Sequence, residues 1–104
     1  MIRSVLLLQA RAGKSAALEE FYAHNDVLER ARRFPGCRNA QLLRSIQGSA
    51  ATHVVIADWE TADDYQRWVE DPWRAASSRQ LAELLDTDPS KPLIGGVFEL
   101  IPEQ

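Results

Sequence analysis

The segment Thr52 to Glu60 carries apolar residues on both of its alternating sides. Val54 and Ile56 lie with Thr52 and Asp58 on one, and Val55 and Ala57 lie with His53 and Trp59 on the other. Successive side chains of a strand point to opposite faces, so such a strand needs cover above and below. A layer of helices supplies one cover. A chain of 104 residues has room for one domain of ordinary size, so the second cover has to come from another sheet. A homodimer joined through the open sheet face is expected.

The remaining segments read around that strand. Ile2 to Ala10 is β-prone and nearly continuously apolar. Ala12-Gly13-Lys14 breaks it, and from Ser15, a candidate N-cap, the spacing of Leu18, Phe21, Tyr22, Asn25 and Leu28 predicts one long helix that ends at Phe34-Pro35-Gly36. Cys37 to Ile46 reads as a second strand, joined through the turn Gln47-Gly48-Ser49 to the third. Thr61 with Asp64 three positions on starts a short helix through Tyr65, Trp68 and Val69. Asp71-Pro72 interrupts it and opens the next, carrying Trp73, Ala76, Leu81, Leu84 and Leu85. Asp86 to Pro92 reads as loop and Ile94 to Ile101 as a last strand, with Gly95-Gly96 a bulge or a point of close backbone approach. The order β-α-β-β-α-β is that of a single ferredoxin-like α+β domain over residues 1–104, a four-stranded antiparallel sheet with helices on one face.

Composition removes several functions. Twelve basic against fifteen acidic residues leave a net charge of −3, which suits neither nucleic acid nor an anionic membrane surface. No apolar run approaches the ~20 residues of a membrane helix. The lone Cys37 cannot close an intramolecular disulfide, and Val5 to Leu8 is too short for a signal-peptide core, so a cytoplasmic location is expected. His24, His53 and Cys37 are too scattered for a metal site. Gly13 with Lys14 falls well short of a phosphate loop.

The unusual feature is aromatic. Trp59, Trp68 and Trp73, with Tyr65 among them, fall within fifteen positions. Each tryptophan alone is explained by a thin core that gains area from large rings; together they suit a flat, hydrophobic ligand. His53 shares a strand face with Val55, Ala57 and Trp59. It either points into the cavity they line, as a proton acceptor, or stands exposed at the strand's start. Asn25, on the same stripe as Phe21, is either a structural hydrogen bonder or a ligand contact.

The run Val54-Val55-Ile56-Ala57-Asp58-Trp59-Glu60-Thr61-Ala62-Asp63-Asp64-Tyr65, then Trp68 and Asp71-Pro72, resembles the antibiotic biosynthesis monooxygenase superfamily, as does Phe34-Pro35-Gly36-Cys37. The resemblance implies a dimeric α+β barrel and, among the activities of that fold, a cofactor-independent oxygenase that converts anthrone-type polyketides, phenols or quinols with O₂. It places Trp59 and Tyr65 in the substrate pocket and an arginine of the later helix at Arg79. Where some members have an asparagine, this chain has Val55. Their hairpin histidine falls near Arg44 or Ser45, with His53 on the adjoining strand. In the haem-degrading branch a helical tryptophan precedes an iron-ligating histidine by ten positions; Trp68 matches, but position 78 is Ser78.

The implied enzyme therefore uses no cofactor or metal. Trp59, Tyr65 and His53 are its catalytic candidates, and Phe21, Asn25, Val55, Trp68, Trp73 and Arg79 its substrate contacts. The alternative is a non-catalytic dimer that binds an aromatic metabolite or acts as a scaffold in a biosynthetic complex.

Overall fold

A computed structural model of the chain describes residues 1–49, 51–86 and 94–103. Four strands, β1 (Ile2–Leu8), β2 (Cys37–Arg44), β3 (His53–Trp59) and β4 (Gly95–Glu99), pair antiparallel in the order β2-β3-β1-β4. β3 lies between β2 and β1, which is the split βαβ arrangement that the alternation of segments predicts. Four helices, α1 (Ser15–His24), α2 (Val27–Arg33), α3 (Ala62–Val69) and α4 (Pro72–Ala82), complete the domain. The predicted loop Asp86 to Pro92 lies, beyond Asp86, outside the described residues.

The single long first helix is corrected to two. The chain breaks at Asn25-Asp26, where Asp26 takes a left-handed conformation, φ 51°, that aspartate tolerates better than most residues. The Asn25 Nδ2 donates to the carbonyl of Phe21 at 2.9 Å, a local bond that competes with helix propagation. Ser15 is the first helical residue rather than the cap; Lys14 precedes it, with no side-chain hydrogen bond at the cap. The two later caps form as read. Thr61 Oγ1 accepts from the Asp64 N–H at 3.1 Å, and Asp71 Oδ2 accepts from the N–H groups of Trp73 and Arg74 with Pro72 in the first turn.

Two glycines are required by close approach. Gly36 has φ +88°, and a Cβ there would lie 2.3 Å from the Asp64 side chain, so the Pro-Gly corner seats the start of α3. At Gly95 a Cβ would meet the Val5 carbonyl oxygen at 2.2 Å, while the β1–β4 register runs without a shift from Leu6↔Gly95 to Ile2↔Glu99. Of the two readings of Gly95-Gly96, close approach is correct. The bulge lies in β2, between Cys37 and Asn39.

One sheet face is covered by the helices, and the core divides into two groups there. Leu8, Leu18, Tyr22, Leu81 and Leu85 pack at one end; Ala31, Ala40, Ala57, Trp59 and Trp68 pack at the other. By the pairing register Val5, Leu7, Val54, Ile56, Leu43 and Phe98 share the opposite face, on which Leu43 and Phe98 are exposed. An Arg3–Asp58 ion pair, 2.7 Å long, closes one end of that face.

Candidate active site

Between the two core groups lies a cavity of about 360 Å³, within the range of small-molecule sites. Its floor follows from three small residues in one row across the sheet. Ala40 pairs with Ala57, and Ala57 with Ser4, so the sheet is shallowest where longer side chains would otherwise meet the helices. Leu6, Val55 and Trp59 flank the row, and Phe21, Tyr22, Val27, Leu28 and Ala31 come down from α1 and α2. Helix α3 supplies Tyr65 and Trp68; α4 supplies Arg74, Ser77, Ser78, Arg79 and Leu81.

Trp59 is fully buried, 0% exposed. Its Nε1–H donates to Ser4 Oγ at 3.1 Å, and the Ser4 hydroxyl donates to the Ala57 carbonyl at 3.4 Å. The indole is thus a fixed wall whose single donor is already used. Tyr65 meets its ring edge-on at 5.7 Å between centroids, and Phe34 packs between Trp59 and Trp68 at 6.4 and 5.3 Å. These edge-to-face contacts hold the rings in place.

Of the residues singled out from sequence, Phe21, Val55, Trp59, Tyr65, Trp68 and Arg79 line the cavity; His53, Asn25 and Trp73 do not. His53 is neither in the cavity nor exposed. It is 1% exposed beneath α1, with Nε2 2.8 Å from Glu19 Oε2 and Nδ1 2.9 Å from Thr52 Oγ1. A carboxylate only accepts, so Nε2 carries the proton and donates. Arg44 engages the same carboxylate through Nε at 2.6 Å. The Arg44 bonds, and then the His53 bond, hold the Glu19 carboxyl at about 2, well below the usual range. Asn25 spends its amide on the backbone of α1. Trp73 packs against Trp68 at 6.2 Å, with the Arg30 guanidinium over its ring, 4.3 Å from the centroid.

The residues that sequence reasoning passed over are Ser4, Tyr22, Arg74, Ser77 and Ser78. A signal existed for the last three. Arg74, Ser77, Ser78, Leu81 and Leu85 follow the i, i+3, i+4 spacing of one helix face, and its first half is polar where a covering helix should be apolar. The Tyr22 ring is buried, and that burial pushes its phenol up to about 12 against a smaller opposing pull from Arg74. It therefore remains a neutral donor beside a cation. Burial likewise raises the Cys37 thiol, away from nucleophilic use.

No group of three or more His, Cys, Asp or Glu side chains is placed to hold a metal ion among the described residues. No helix among them is long and apolar enough to cross a membrane.

The family model described as antibiotic biosynthesis monooxygenase matches residues 1–78. No curated protein matches the chain. Among solved structures, the fold is similar to that of Rv0793 from Mycobacterium tuberculosis, at 19% identity over 98% of this chain and 96% of that one, with a TM-score of 0.78. A single-substitution variant of SnoaB, a cofactor-independent oxygenase from Streptomyces nogalater, is 20% identical over 98% and 94%, TM-score 0.75. MhuD, a haem degrader from Mycobacterium tuberculosis whose structure holds two haems, is 23% identical over 100% and 99%, TM-score 0.74. Haem needs an axial ligand. Among the described residues the cavity walls present no imidazole, thiol or thioether, and the iron-ligating position of the haem-degrading branch is Ser78; the phenols of Tyr22 and Tyr65 are the remaining candidate ligands there, and burial keeps the Tyr22 phenol protonated.

Proposed function

Because the chain belongs to the antibiotic biosynthesis monooxygenase family, we propose that it oxidises an aromatic polyketide of the anthrone type, or a related phenol or quinol, with O₂ and without a cofactor. The observation that carries this reading is the cavity itself, walled by Trp59, Trp68, Phe21 and Tyr65 and bordered by the polar edge of α4. The likeness to SnoaB supports the absence of a cofactor.

For an anthrone the reaction balances without a further reductant. A ring C–H is lost as a proton, the resulting carbanion passes one electron to O₂, the radical pair joins as a peroxide, and loss of water leaves a quinone carbonyl. Anthrone plus O₂ gives anthraquinone plus water. Trp59, Trp68 and Phe21 hold the ring and exclude solvent from the radical pair. Tyr65 donates a hydrogen bond to a substrate oxygen, while Arg79 stabilises the anion. Among the described residues no carboxylate or imidazole lines the cavity, so the proton passes to solvent, and His53 serves the scaffold rather than the substrate. A second copy over the open sheet face completes the barrel, and a reducing compartment keeps Cys37 a thiol.

Oxygen uptake with an anthrone or menadiol, without added metal or flavin, tests the reading. Turnover is expected in the native protein, with Trp59→Phe and Tyr65→Phe each slowing it at least several-fold. Unchanged rates in both variants would remove this site from the reaction. The competing reading, a non-catalytic binder or scaffold, is favoured by Val55 at the asparagine position and by the commitment of His53 to Glu19. Tight binding of an anthraquinone with no oxygen consumption would establish it.

A further inference from the structure

The ten arginines of the chain are almost all occupied. Arg3, Arg32, Arg33, Arg38, Arg44 and Arg67 each pair with a carboxylate. Arg11 donates to the Leu85 carbonyl at 2.9 Å, and Arg30 lies over Trp73. Arg74 and Arg79 are left, with no carboxylate partner among the described residues, and both line the cavity. In a protein of net charge −3, the two arginines without such a partner among the described residues thus border one and the same cavity.

The surroundings are those of an anion site. Arg74 is half-buried, and the Tyr22 phenol, a neutral donor, shares the wall with it. Ser78 follows Arg74 by one helical turn, and Ser77, whose hydroxyl donates to the Arg74 carbonyl at 3.1 Å, retains lone pairs that a protonated ligand group or a water can use. Opposite them stand apolar side chains, so the cavity has one cationic edge and one greasy floor.

We infer that the substrate is an aromatic ring system bearing a carboxylate, and that Arg74, assisted by Arg79 at the rim, selects for it and sets which edge of the ring faces Tyr65. A carboxylate is preferred to a phenolate for a geometric reason. The guanidinium fork matches its two oxygens, which together accept about four hydrogen bonds, whereas a phenolate presents one oxygen to the same array. In this arrangement Arg74 is a specificity residue, and the negative charge it binds is permanent rather than formed during the reaction. The inference rests on the aromatic-cavity reading above and narrows it.

The test uses quenching of the intrinsic tryptophan fluorescence, since Trp59 and Trp68 line the cavity. The probes are anthraquinone-2-carboxylate and anthraquinone-2-carboxamide, which differ in charge and hardly in shape. The native protein is expected to prefer the carboxylate by roughly tenfold or more. Arg74→Gln is expected to abolish the preference while still binding the carboxamide, and Arg74→Lys to keep part of it. Equal affinity of the native protein for the two probes overturns the carboxylate assignment and leaves the aromatic cavity standing. A preference that survives in both Arg74→Gln and Arg79→Gln also overturns it. Failure of the native protein to bind either probe overturns both readings together.

Discussion

Trp59 shows how one side chain joins scaffold and site. Its donor is bound to Ser4 and its ring is enclosed by Tyr65 and Phe34, so its contribution to a ligand is shape and polarisability rather than a hydrogen bond. The type of residue and its position were readable from the strand end; the loss of its donor was not, because the partner lies fifty-five positions away. His53 lies outside the cavity for a similar reason. Alternation placed it on the right face, and only the tertiary packing of α1 reveals Glu19 above it. That pair has a pH consequence. The Glu19 carboxyl, held at about 2 in the folded chain and near 4.5 when free, adds stability that is fully present above pH ~4.5 and is lost as pH falls toward 2. Urea midpoints of the native protein and Glu19→Gln should therefore differ at pH 6 and converge as pH is lowered. A constant difference would show that the ionised carboxylate contributes nothing.

Among the elements, α4 departs most from what its sequence first indicates. Read as a covering helix it is poorly amphipathic; read as one wall of a cavity, its Arg74, Ser77 and Ser78 are where a polar ligand edge needs them. The caps of α3 and α4 and the order of all four strands were readable, since Thr61, Asp71-Pro72 and the apolar alternation act locally. The division between α1 and α2 was missed because Asn25 keeps the helical period while its amide ends the helix. The Pro35-Gly36 corner couples elements far apart in sequence. The Gly36 carbonyl accepts from the Glu60 N–H at 2.8 Å, and its bare Cα lets Asp64 approach. Gly36→Ala combines left-handed strain with a steric clash and should cost about 2 kcal/mol or more. Thermal unfolding measures it; a change below about 0.5 kcal/mol would mean the corner relaxes freely.

The whole chain exposes 7201 Å², against roughly 5,900 Å² for a compact monomer of its mass. Part of the excess is the sheet face carrying Val5, Leu7, Val54, Ile56, Leu43 and Phe98, the face that the two-sided pattern of β3 leaves without cover. A dimer through it should appear as twice the chain mass in light scattering. Ile56→Lys at the centre of that face should shift the mass to that of a monomer, since an unpaired charge there opposes burial; an unshifted dimer would place the contact elsewhere. The cavity lies on the other, helix-covered side of the sheet, so a dimer formed through the open face would be separated from a ligand in the cavity by one layer of backbone. Ala57→Leu should accordingly abolish anthraquinone binding and leave the molecular mass unchanged, whereas retained binding would place the ligand outside the cavity. The transverse row Ala40, Ala57 and Ser4 makes that separation useful in a further way. Each member sits on a different strand at a fixed rung of the ladder, so the depth of the cavity is set by three side chains outside the backbone ladder, of which Ser4 also holds the Trp59 indole. Through the two alanines, a lineage built on this fold can change the depth of that cavity one methyl group at a time while the strand pairing remains the same.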